Sequence, residues 1–238
     1  MGSKDTFFKM YRESVNPIFI ESNQADPAMQ FQLGCEKEYV APLPALTRIK
    51  DNTLSLCGYS LNRGLCKALE QSLQKVSGLR KIILERNSLV DDMLSFIIKG
   101  IAHTKTMRSI CIYHNEVGPK SCEALQSFLE KTLQLEELRL NSCRMNTIFV
   151  NEILSQIKKR PNCIRMLSLA RANLNDISLR LISEIMNVST SLIELDISWN
   201  NVKKQARFAF IKDLEYNQRL QYLNLSFITM SDLSKQGE

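Results

Sequence analysis

The side chains best able to do chemistry in this chain are few and scattered. It has two histidines, His103 and His114, and seven cysteines with no Cys-x-x-Cys pair. A zinc site needs clustered thiolate and imidazole donors, so no metal is expected. No G-x-x-x-x-G-K-[ST], G-x-G-x-x-G or G-x-S-x-G run occurs. The phosphate cradle, the dinucleotide turn and the nucleophile elbow are therefore missing, and we expect no cofactor, no small-molecule substrate and no enzyme. What does recur is a row of recognition residues, Gly58, Arg86, His114, Ser142, Arg171, Trp199 and Phe227, spaced by 28 or 29. One residue earlier runs Cys57, Glu85, Tyr113, Asn141, Ala170, Ser198 and Ser226; three earlier runs Ser55, Ile83, Cys111, Arg139, Ser168, Asp196 and Asn224. Trp, Tyr and Arg are the residues that most often anchor protein interfaces, so the chemistry on offer is docking.

Such spacing requires a repeating scaffold. Seven segments share one eleven-residue template: DNTLSLCGYSL from 51, LRKIILERNSL from 79, MRSICIYHNEV from 107, LEELRLNSCRM from 135, IRMLSLARANL from 164, LIELDISWNNV from 192 and LQYLNLSFITM from 220. Positions four and six are aliphatic in all seven, and position eleven is always apolar. Alternating aliphatics predict a short strand with one face inward. In the six complete units an apolar pair follows four residues apart, from Leu69/Leu73 to Phe210/Leu214, which predicts a helix with that face on the strand layer.

The template resembles the leucine-rich repeat L-x-x-L-x-L-x-x-[NC]-x-L, and its 28–29 period resembles the ribonuclease-inhibitor-like subclass. The likeness covers residues 51–230. It implies an α/β solenoid, a horseshoe with parallel strands inside and helices outside. Position nine then carries an inward asparagine (Asn87, Asn115, Asn200) or Cys143, which serves loop backbone groups. Tyr59, Ala172 and Ile228 depart from that preference, so a looser turn or a water is expected there. The family acts through its concave face, so template positions 2, 3, 5, 7 and 8 are expected in solvent. Arg86, Tyr113, His114, Arg139, Arg171, Trp199, Tyr222 and Phe227 form the expected protein-binding set. Trp199 and Phe227 either meet a partner, pack on each other, or pack against the chain's own C-terminal continuation. Cys57 and Cys111, on the same face, are expected to be open to oxidation.

Residues 1–50 fall outside the period and read as a mostly helical N-terminal cap. Phe7, Phe8, Tyr11 and Val15 form a helical apolar stripe, and Asp26-Pro27 reads as an N-cap with proline at the first helical position. The seventh repeat is incomplete, and residues 231–238 read as a tail or a truncated continuation. A solenoid ending there leaves a strand edge and apolar surface for a partner or for more chain to cover. Met1–Thr6 matches the M-G-x-x-x-[ST] pattern for acylation of Gly2, but one acyl chain holds a membrane only marginally, so no stable membrane insertion is expected.

Thirty-one Lys and Arg against 25 Asp and Glu give a net charge of +6. On the expected face the two signs are mixed, unlike the uninterrupted basic track that nucleic acid requires, so we expect a protein partner and no nucleic acid. Seven strands at about 4.8 Å spacing and three or four residues long give a face of roughly 300–400 Å², against about 800 Å² per partner in a standard interface. Loops or an end of the solenoid must join in. The odd cysteine count without a secretory start points to reduced thiols in the cytoplasm. An aromatic opening helix, a proline-containing link and such repeats are together similar to centrosomal and ciliary leucine-rich repeat proteins. The expected function is therefore a non-catalytic scaffold or adaptor in a larger cytoskeletal, ciliary or axonemal assembly. The alternative is an enzyme regulator of the Ran GTPase-activator kind, whose acidic tail is missing here. Ribonuclease inhibitors share the implied fold but are acidic and cysteine-rich.

Overall fold

The alternating aliphatics pair as rungs. In this computed structural model, which describes residues 27–46 and 49–230, Leu54, Ile82, Ile110, Leu138, Leu167, Leu195 and Leu223 lie in register across seven parallel strands. The chain begins with helix α1 (Pro27–Lys37), strands β1 (Ile49–Lys50) and β2 (Thr53–Cys57) and helix α2 (Arg63–Leu73). It continues through β3 (Lys81–Glu85), α3 (Asp91–Ile101), β4 (Ser109–Tyr113), β5 (Glu116–Val117) and α4 (Pro119–Lys131). Next come β6 (Glu137–Asn141), β7 (Arg144–Met145), α5 (Thr147–Lys159), β8 (Met166–Ser168) and α6 (Asp176–Val188). The last described elements are β9 (Glu194–Asp196), β10 (Asn201–Val202), α7 (Lys204–Leu214), β11 (Tyr222–Asn224) and β12 (Thr229–Met230).

The main sheet has the order β1-β2-β3-β4-β6-β8-β9-β11, and consecutive helices pack in the same sequence on its other side. Parallel strands sit about 4.8 Å apart and packed helices about 8–10 Å, so the stack bends with the sheet inside. The i,i+4 pairs face the sheet: Leu69, Leu73, Ile97, Ile101, Ile153 and Ile182 are all buried. Close helix contact needs small residues at two places. A Cβ on Gly34 would lie 3.0 Å from Ala68 Cα, and one on Gly100 would lie 2.9 Å from Glu70 Cα.

The asparagines act one repeat backwards. Asn87, Asn115 and Asn200 donate from Nδ2 to the carbonyls of Leu56 (2.7 Å), Leu84 (3.0 Å) and Leu169 (2.8 Å). Their Oδ1 atoms accept from Tyr59 N, from Asn87 N and Leu89 N, and from Ala172 N and Leu174 N. Buried turn backbone is thereby satisfied by side chains. The turns at Tyr59 and Ala172 are thus held by the asparagine of the following repeat. Looseness shows instead in the ladder, which shortens from five residues between β4 and β6 to three between β6 and β8. Side chains take over there: Asn141 Oδ1 accepts from Ala170 N, Asp196 Oδ1 from Ser198 N and Asn224 Oδ1 from Ser226 N. Asx groups that capture nearby amides compete with sheet pairing.

The segment expected to be a mostly helical cap also supplies a strand. β1 runs antiparallel to β2, through a turn in which Asp51 and Asn52 are both left-handed (φ 51° and 60°). This two-residue hairpin, the kind favoured by Asx residues, adds a reversed strand to the first edge of the sheet. The Phe7–Val15 stripe, Gly2, the Asp26 cap and residues 231–238 lie outside the described residues. No helix among the described residues is long and apolar enough to cross a membrane.

Candidate protein-binding face

Position eight lies beyond the carboxyl end of each strand, and there the backbone turns left-handed in every repeat. The φ angles are 74° at Gly58, 49° at Arg86, 54° at His114 and Ser142, 52° at Arg171, 58° at Trp199 and 55° at Phe227. Six of these seven are not glycine, although left-handed backbone costs an L-residue roughly 1–2 kcal/mol. The turn is held from outside: each position-eight N–H from Gly58 to Trp199 donates to the position-seven carbonyl of the next repeat, at 2.8–3.2 Å. The result is a ledge along the carboxyl ends of the strands, from which the side chains project. Arg86, His114, Arg171, Trp199 and Phe227 are all exposed. Replacing half-buried Ser142 by glycine removes the left-handed penalty at some cost in unfolded-chain entropy. We expect Ser142→Gly to raise unfolding free energy by about 0.5–1 kcal/mol and Ser142→Val to lower it by about 1–2 kcal/mol, read by urea denaturation.

The ledge becomes aromatic at one end. The rings of Trp199 and Phe227 stack with centroids 4.0 Å apart at 20°. They do pack on each other, yet Trp199 stays 56% and Phe227 64% exposed. Tyr222, 53% exposed, stands on the neighbouring outer strand, and Arg171 occupies the preceding repeat. At the other end Arg86 is bonded to its own neighbour, Glu85 Oε1, at 2.8 Å.

The middle of the sheet differs from expectation, because several face positions are closed to solvent. Ser109, Glu137, Cys111, Ser168 and Ser198 are all buried. Around Ser109, Glu137 and Cys111 a lattice of long side chains lies across the strands. Lys81 Nζ reaches over one strand to Glu137 Oε2 (2.9 Å), and Ser109 Oγ donates to the same oxygen. Arg139 binds Glu137 through Nε and reaches Glu194 Oε1 through Nη2 at 3.0 Å. Burial by itself raises the Glu137 carboxyl, but the bonds from Lys81, Ser109 and Arg139 outweigh it and pull it down to about 2. Burial lowers Arg139 in turn, but Glu137 and Glu194 hold it above its usual range.

Three expectations change accordingly. Arg139 spends its guanidinium on two carboxylates of its own chain. Tyr113 is half-buried, and burial pushes its hydroxyl above the usual range. Cys111 is not open to oxidation: burial raises its thiol, whereas Cys57 is exposed. The lattice could be recognised only after folding, since Lys81, Glu137 and Glu194 are far apart in sequence. Their one common signal is template position three.

Among the described residues no three His, Cys, Asp or Glu side chains are grouped to hold a metal. What the fold and this surface define is a repeat solenoid with a closed ionic centre and an open aromatic–basic ledge. No family profile and no curated protein matches the sequence. Among solved structures the chain is similar to the C-terminal domain of tropomodulin from Caenorhabditis elegans, at 14% identity, over 79% of this chain and 92% of that one, with a TM-score of 0.43. A likeness so distant says nothing of function.

Proposed function

We propose that this chain is a non-catalytic protein-interaction scaffold of the ribonuclease-inhibitor-like repeat subclass, and that its partner docks on the ledge around Trp199, Phe227, Tyr222 and Arg171. The observation that carries this reading is the stacked Trp199–Phe227 pair, which remains more than half exposed on a strained backbone. A fold that needed these rings for stability would bury them. Rigid aromatics beside arginine are instead the usual anchors of protein interfaces. Mixed charge across the neighbouring strands favours a protein over a polyanion. Assignment to a cytoplasmic cytoskeletal or ciliary assembly rests on the resemblance of the sequence alone.

The test is affinity capture with the native protein and identification of what it retains. Trp199→Ala and Arg171→Ala should each reduce recovery of the partner about tenfold or more, with the melting temperature unchanged. Undiminished recovery with both variants would move the docking site off the ledge.

A further inference from the structure

Each helix of the solenoid presents one flank to the next. For α6 that flank is Asp176, Leu179, Arg180 and Ser183, which line the groove against α7. The same positions one repeat later, 28 residues on, are Lys204, Arg207, Phe208 and Ile211. Among the described residues no helix covers them. Phe208 is 62% and Ile211 49% exposed, whereas the position equivalent to Ile211 is buried as Ile98, Leu154 and Ser183 and half-buried as Glu70 and Gln126. An apolar pair is therefore set where a helix belongs.

The charges on this flank say which helix. Lys204 has no carboxylate partner among the described residues and lies over the Phe208 ring at 5.8 Å. Arg207 Nε is sealed from solvent with no acceptor. Both stand at the amino-terminal half of α7, while the exposed Glu215 follows its carboxyl end. Elsewhere charges of this kind are matched between repeats: Lys158, equivalent to Glu215, pairs with Glu184 of the next helix at 2.7 Å. A helix lying parallel to α7 would bring its own first turns to Lys204 and Arg207. A carboxylate there pairs with the exposed Lys204 ammonium and favours the helix dipole, and a cation near its far end meets Glu215.

We infer that the outer flank of α7 docks an amphipathic helix of a partner protein, parallel to α7, acidic in its first turns and basic in its last. This surface is separate from the ledge, so either can fail without the other.

The probe is a fluorescein-labelled 18-residue peptide with a leucine face, glutamates in its first two turns and lysines in its last two. Its counterpart has the two charge blocks exchanged. Anisotropy titrations with the full chain should show the first peptide binding at least about tenfold more tightly than the second. Phe208→Glu should weaken the first peptide about tenfold or more without moving the melting temperature, because the ring is already exposed. Lys204→Glu should narrow or invert the preference between the peptides. Equal binding of both peptides, or of neither, overturns the inference. So does concentration-dependent dimerisation of the free chain that Phe208→Glu abolishes, since the occupant would then be a second copy, and so does at least about tenfold tighter binding of the first peptide once residues 231–238 are deleted, since the occupant would then be the chain itself.

Discussion

Leu138→Asp should abolish the cooperative unfolding of this chain, and Leu138→Ala should lower its stability by about 3–5 kcal/mol. Leu138 is fully buried on the middle strand β6, in register with Ile110 on one side and Leu167 on the other. An aspartate there would place an unpaired carboxylate between the sheet and its helices, in a layer where neighbouring side chains are aliphatic. Because each repeat packs its apolar layer on its neighbours, a fault in the fourth also separates the first three from the last three. Urea unfolding followed by far-ultraviolet circular dichroism checks this. Leu133→Asp is the control, since Leu133 is 64% exposed and its replacement should leave the midpoint almost unmoved. A Leu138→Asp transition as sharp as that of the parent would show that the rungs do not carry the fold.

Glu137→Gln should cost about 2–4 kcal/mol at neutral pH, since it leaves Lys81 and Arg139 facing each other across a half-buried gap without their shared carboxylate. The same variant should change the acid response. In the folded chain Glu137 titrates near 2, against an ordinary carboxyl value of 4.5, so the unfolded chain binds the proton more readily. Its contribution is therefore fully present above about pH 4.5 and is lost as pH falls from there towards 2. Denaturant midpoints measured across that window should fall more steeply for the parent than for Glu137→Gln. Parallel curves would mean that the carboxylate is solvated and the lattice contributes little. Because Arg139 also binds Glu194, the cost should fall short of that for a wholly isolated buried charge.

The ledge and the lattice together set how this surface can be used. The lattice closes the centre of the sheet, so the area open to a partner shifts to the strand ends and to the last repeats. The flat face was already small beside a standard interface. Binding through the Trp199 end, with Tyr222 and the neighbouring outer strand, answers that shortage better than binding across the middle.

Sequence by itself determined the architecture. Aliphatics at template positions four and six and the i,i+4 helix pairs dictate which faces are buried, because burying apolar surface is indifferent to what lies at the remaining positions. It also supplied the row from Arg86 to Phe227, since equal spacing in a solenoid places equivalent residues side by side along the stack. Tertiary structure alone decided which of those side chains are free. The left-handed turn at position eight is stabilised by a carbonyl one repeat away, as Trp199 N–H is by Ser226. Arg139 looks as available as Arg171 in the sequence. Only the strand register brings Glu137 and Glu194 to it, because a charge is neutralised by whatever lies within a few ångströms, however distant along the chain.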